Sequence, residues 1–170
     1  MTINNDSQNI IYKISYHYSL SLWLEQKKAI KKQSKSGMLA LAASYGDQAT
    51  QAETRSLRSP QLRNLRDALQ DLPAAKKEVE GLSKLFQGDF LYGQEANEAS
   101  FKKNASQYGI IHLAMHGLLN TQHPILSSLA FTENGDSTED NFLQAYEISH
   151  LNLNANLVVL SACETGYGKF

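Results

Sequence analysis

From Ile10 the chain alternates, with Tyr12, Ile14, Tyr16 and Tyr18 on one face and Lys13, Ser15 and His17 on the other. That period of two predicts a half-exposed edge strand. Residues 1–9 are polar and are expected to form a disordered terminus. Leu20, Trp23, Leu24 and Ile30 then fall at helical spacing behind Ser19 or Ser21 as a cap, with Lys27, Lys28, Lys31, Lys32 and Lys35 mostly outward. The run 38–43 is wholly apolar and predicts a central strand covered on both faces. Residues 44–59 read as a surface loop. Ser59-Pro60 opens a predicted helix with Leu62, Leu65, Leu69 and Leu72 in one stripe, and Pro73 opens another with Ala75, Val79, Leu82 and Phe86 inward, ending near Gly88.

Phe90-Leu91-Tyr92 predicts a short strand, and Asn97 a cap for a helix packing through Ala99, Phe101 and Ala105. Residues 110–115 form the next apolar run, 118–124 a loop, 126–132 a short strand, and 133–136 a turn. Residues 142–148 read as a brief helix before a last strand from Leu157. Strands alternating with helices predict an α/β domain with a parallel sheet. No 34-residue periodicity is visible, so helical repeats of that length are not expected within the chain.

The chemistry collects at the ends of two of these strands. One apolar run ends in His116-Gly117, and another, Leu157 onward, ends in Ser161-Ala162-Cys163-Glu164-Thr165-Gly166. Ligands bind at the carboxyl ends of parallel strands. A thiol becomes a nucleophile at neutral pH when a base or cation stands beside it, and a histidine is the usual means. His112, four residues before His116, is expected to be a hydrogen-bonded structural histidine. A zinc reading of His112 and His116 with His123 or Cys163 is disfavoured, because Leu113 stands where the helical zinc motif needs glutamate.

Composition sets bounds on this picture. At 170 residues and 42% hydrophobic, the chain is long enough for one domain with a real core. A net charge of −1 argues against nucleic acid or an anionic membrane as partner, and the lysines of the first helix read as a solvated face. The single cysteine forms no internal disulfide. With no signal-peptide pattern and no run of 18 apolar residues, a cytoplasmic location is expected.

The segments His112-Leu113-Ala114-Met115-His116-Gly117 and Leu160-Ser161-Ala162-Cys163-Glu164-Thr165-Gly166 resemble the two hallmark motifs of the CHAT domain, a caspase-like module often found behind TPR repeats. Leu72-Pro73-Ala74-Ala75-Lys76-Lys77-Glu78-Val79-Glu80 is similar to that family's helix opening. Pro124-Ile125-Leu126-Ser127-Ser128-Leu129 is similar to its segment after the histidine. The 47-residue separation of His116 and Cys163 is also close to the caspase spacing.

The resemblance, running from Ile10 to the last residue, implies a caspase-like three-layer α/β fold over 10–170, with a mostly parallel sheet flanked by helices. The fold is expected to be incomplete at the C-terminus, since seven residues follow Cys163. It implies a cysteine endopeptidase with Cys163 as nucleophile, His116 as base, and the backbone N–H groups of Gly117 and Cys163 as oxyanion hole. Protein or peptide is the implied substrate, with neither metal nor cofactor. TPR repeats or the absent C-terminal half of the domain are the implied partners. Ser161 stands where related metacaspases carry an aspartate that reads a basic residue, so the substrate preference stays open. Glu164, Asp136, Glu139 and Asp140 are either readers of a basic substrate or solvated loop charge. As an isolated chain, little proteolysis is expected. The rival reading is a non-catalytic remnant or interaction module.

Overall fold

Met38–Ala42 is apolar at all five positions, and every one of them is buried. A strand with that pattern needs cover on both faces, and it has it. The computed structural model describes residues 2–5, 10–13, 37–45, 65–134 and 138–161. The chain divides into two units, 1–33 and 34–170. In the first, β1 (Thr2–Asn5) pairs antiparallel with β2 (Ile10–Lys13), Thr2 opposite Lys13. The first residues therefore include a strand, where the sequence predicts disorder.

In the second unit, β3 (Met38–Ala42), β4 (Gly88–Tyr92), β5 (Ile110–Ala114) and β9 (Leu157–Ser161) form a parallel sheet in the order β4-β3-β5-β9. Alternate side chains of β3 feed two cores. Met38, Ala40 and Ala42 pack under α1 (Pro73–Ser83) through Ala75 and Val79. Leu39 and Leu41 join Phe101 and Ala105, from α2 (Glu98–Asn104) and the 3-10 turn after it, on the opposite face. The domain is thus α/β, with helices on both sides of a parallel sheet.

On that second face lies a small antiparallel sheet of β6 (His116–Leu118), β7 (Ser128–Ala130) and β8 (Phe142–Gln144). It contributes Leu118, Leu129, Ala130, Phe142 and Leu143 to the core. A four-residue helix, α3 (Ala145–Ile148), follows β8 behind a capping box of Gln144 and Glu147. Asn97 caps α2 as predicted, its Oδ1 accepting from Ser100 N at 2.8 Å. Gly88 has φ +151°, and a Cβ there would stand 1.9 Å from the Met38 carbonyl oxygen, so the strand pair requires glycine.

Several expectations need correction. Residues 142–148 are a strand followed by one helical turn, because Phe142 and Leu143 reach the core only as part of a sheet. The described part of the helix predicted from Ser59 covers 65–67, and the chain is non-helical over 69–72. Phe86 lies beyond the end of α1 and is 43% exposed instead of facing inward. β6 is a three-residue strand that the sequence does not suggest. The helix predicted over 20–35 and most of the loop at 44–59 lie outside the described residues. Among the described residues, no helix is long and apolar enough to cross a membrane.

Candidate functional site

β5 ends at Ala114, Met115 turns into the core, and His116 begins β6. This turn moves the histidine from the parallel sheet to the antiparallel one, where it faces Ala130. His116 is only 3% exposed and is held at three points. Its backbone N–H donates to the Tyr45 hydroxyl at 3.0 Å. Its imidazole lies 4.8 Å from the Tyr45 ring at an interplanar angle of 50°. Its Nε2 is 2.7 Å from the Gln70 carbonyl oxygen. A carbonyl oxygen only accepts, so Nε2 carries the proton and Nδ1 is the basic nitrogen of this tautomer.

The sequence identifies no third group beside histidine and cysteine, and the imidazole's partner is a main-chain carbonyl. Its residue type carries no signal, which is why a sequence pattern misses it. Tyr45 had one: the inward alternation Leu39, Leu41, Ala43 continues to it with the same period. Burial pushes the Tyr45 phenol well above the usual tyrosine range, so it acts as a neutral hydrogen-bonding group.

Cys163 and Glu164 lie outside the described residues, and the described part of the chain brings β9 up to Ser161. Ser161 pairs with Ala114 across the β5–β9 ladder. His116 and Cys163 each stand two positions beyond that same rung. Gly117 follows His116 in β6, opposite Leu129. His112 is buried in β5, its Nε2 3.1 Å from Glu78 Oε1 on α1, an ion-pair distance without hydrogen-bond alignment. Glu78 Oε2 in turn accepts from the Ser161 hydroxyl at 2.9 Å. One carboxylate of α1 thus spans β5 and β9, and the expected hydrogen bond of His112 is an electrostatic contact.

Glu98, Glu139 and Glu147 bring one carboxylate oxygen each into a group that has the spacing of a metal site. The Lys102 ammonium already stands there, 2.7, 2.8 and 2.9 Å from Glu98, Glu139 and Glu147. Burial raises the Glu98 carboxyl to about 7, against the opposing pull of Lys102. Burial works to lower Lys102, but the hydrogen bonds it donates to the three carboxylates outweigh it and lift the ammonium above its usual range. Glu139 is therefore committed to an ion pair, and Asp140 accepts from Phe142 N at 2.8 Å. Both are engaged within the domain, where the sequence left them as solvated loop charge or readers of a basic substrate. Asp136 lies outside the described residues.

Beside Gly117, an apolar cavity of about 530 Å³ is lined by Leu118 and Leu143 of the small sheet, Leu119 just after β6, and Val158 and Leu160 of the parallel sheet. Leu157, Val158 and Leu160 of the edge strand β9 are exposed.

The chain matches the family model of the CHAT domain over residues 7–170. No curated protein and no solved structure gives a significant match.

Proposed function

Because the chain belongs to the CHAT-domain family, which is caspase-like, we propose that it is a cysteine peptidase domain in which Cys163 is the nucleophile and His116 its base. The observation that carries this reading is the rung Ala114 opposite Ser161, from which the segments leading to His116 and to Cys163 leave neighbouring strands about 4.8 Å apart. The second support is the tautomer. With Nε2–H donated to Gln70, Nδ1 takes the thiol proton.

In this mechanism Sγ attacks the scissile carbonyl carbon, and the imidazolium then protonates the leaving amine as the C–N bond breaks. Water, deprotonated by His116, hydrolyses the acyl-enzyme and returns the thiol. The N–H groups of Gly117 and Cys163 are the proposed donors to the tetrahedral oxyanion. A protein or peptide is the substrate.

A second reading follows from the exposed apolar residues of β9. An edge strand presenting Leu157, Val158 and Leu160 beside an apolar cavity is suited to being covered by further protein. On that reading the domain works as an interaction module, its partner being the rest of a longer CHAT domain or an adjoining repeat segment.

The deciding experiment is the alkylation rate of Cys163 by a haloacetamide against pH, in the parent chain and in His116→Ala. Rapid reaction near neutral pH that His116→Ala abolishes supports the dyad. A rate that follows an ordinary thiol, with pKa about 8.5, and ignores His116 leaves the interaction module.

A further inference from the structure

We infer that Tyr45 and Asp71 are positioning residues for His116, one fixing its backbone and ring plane and the other fixing the carbonyl that sets its tautomer. The inference rests on the proposed role of His116 as base. It concerns two residues that the motif around the histidine does not contain.

Tyr45 follows β3 by three residues and points its ring into the core. Its hydroxyl donates to the Ala130 carbonyl at 2.6 Å and accepts from the His116 N–H at 3.0 Å. His116 and Ala130 face each other at the end of the β6–β7 ladder, so the phenol is inserted into that rung as a bridge. One hydroxyl proton and one lone pair are both engaged, which leaves the phenol a single orientation. The ring then lies against the imidazole and limits its rotation.

Asp71 works on the other side. Its Oδ1 accepts from Tyr45 N at 3.1 Å and from the Ser44 hydroxyl at 3.2 Å. That joins 70–71 to the same 44–45 segment that holds the histidine. Gln70, one residue before the pin, supplies the carbonyl 2.7 Å from Nε2. Backbone, ring and tautomer of His116 are therefore all referenced to the two residues Ser44 and Tyr45. A base has to be aligned as well as basic, and misplacement by about 1 Å costs roughly a hundredfold in rate.

The test is a long-range proton–nitrogen NMR spectrum of the full chain, with the imidazole signals assigned by their loss in His116→Ala. It is paired with the alkylation rate of Cys163. The parent is expected to show His116 as one tautomer protonated at Nε2. Tyr45→Phe, which keeps the ring, and Asp71→Ala are each expected to give a mixture of tautomers and alkylation roughly ten- to a hundredfold slower. Asp71→Asn retains the accepting oxygen and is expected to restore both. A single Nε2–H tautomer persisting in Tyr45→Phe and Asp71→Ala overturns the inference, and Tyr45→Phe alone decides it if Asp71→Ala does not fold. The NMR readout is independent of the thiol. If alkylation in the parent ignores His116, the dyad is lost, while the tautomer spectra still report whether Tyr45 and Asp71 hold the ring.

Discussion

Replacing Lys102 with methionine removes the cation from among Glu98, Glu139 and Glu147 and leaves a stem of similar length in place. The consequence depends on pH because the Glu98 side chain is 1% exposed and its carboxyl is raised from 4.5 to about 7 by burial. A carboxyl whose folded pKa lies above its unfolded value binds a proton more tightly in the native state. The protein therefore loses stability as pH rises from about 4.5 through about 7. For the parent that slope amounts to about 3 kcal/mol, at 1.36 kcal/mol per pKa unit. Without Lys102 the opposing interaction is gone, the Glu98 carboxyl rises further, and ionising it at pH 8 leaves an uncompensated buried charge. Breaking such a pair costs about 3–5 kcal/mol. At pH 5 Glu98 is neutral, and the loss falls to about 1 kcal/mol for the partly exposed contacts with Glu139 and Glu147. Urea unfolding followed by circular dichroism at the two pH values measures the difference. Lys102→Met combined with Glu98→Gln is expected to recover most of the loss at pH 8. An equal loss at pH 5 and pH 8, or no recovery in the double variant, refutes the reasoning.

Gly88→Ala forces a Cβ onto the Met38 carbonyl and is expected to destabilise the β3–β4 pair by about 3 kcal/mol or more, read as a lowered urea midpoint. Leu41→Ala empties a fully buried site in the central strand, and a loss of about 2–5 kcal/mol is expected in the same assay. Arg66→Met removes hydrogen bonds to the Phe131 and Asn141 carbonyls, at 2.6 and 3.3 Å, and the guanidinium stacked 4.4 Å above the Phe142 ring. A loss of about 3 kcal/mol is expected, and a change below about 1 kcal/mol would show that the buried guanidinium is not a fastener.

The parts of the fold that could be read from sequence are those where one physical requirement dominates the pattern. The run 38–43 has no polar position, and only a strand covered on both faces tolerates that, so β3 emerged in its place at the centre of the sheet. Asn97 was recognisable because its side chain has to satisfy an orphan N–H. β8 was misread because Phe142 and Leu143 lie next to Ala145-Tyr146-Glu147-Ile148, whose spacing suits a helix. Two side chains of core and one turn of helix share too short a stretch for periodicity to separate them. β6 left no trace, since three residues containing a glycine show no period. Nothing in the local pattern marks Arg66 as a buried residue. Its burial follows from the Phe131 and Asn141 carbonyls, which are far away in sequence.

The candidate site divides along the same line, and the division locates its weak point. The two strands that run toward the histidine and the cysteine, β5 and β9, were legible because each is an apolar run, and Cys163 itself lies outside the described residues. The Met115 turn was not, and it carries His116 out of the parallel sheet that contains β9. The cysteine's strand is registered by the main-sheet rung at Ala114 and Ser161, whereas the histidine is held by the small sheet and the 44–45 segment. These are separate sets of hydrogen bonds. Any change that loosens β6–β7–β8, including loss of the Lys102 cluster that ties α2 to Glu139 and to Glu147 beyond β8, acts on His116 without disturbing the strand that leads to Cys163. Lys102→Met should therefore shift the amide signals of β6, β7 and β8, His116 among them, at pH 8 and leave them in place at pH 5, with the amide signals of β5 and β9 unchanged at both. Loss of the β9 signals along with those of β6–β7–β8 would mean that the two sheets open as one unit and that His116 has no support of its own.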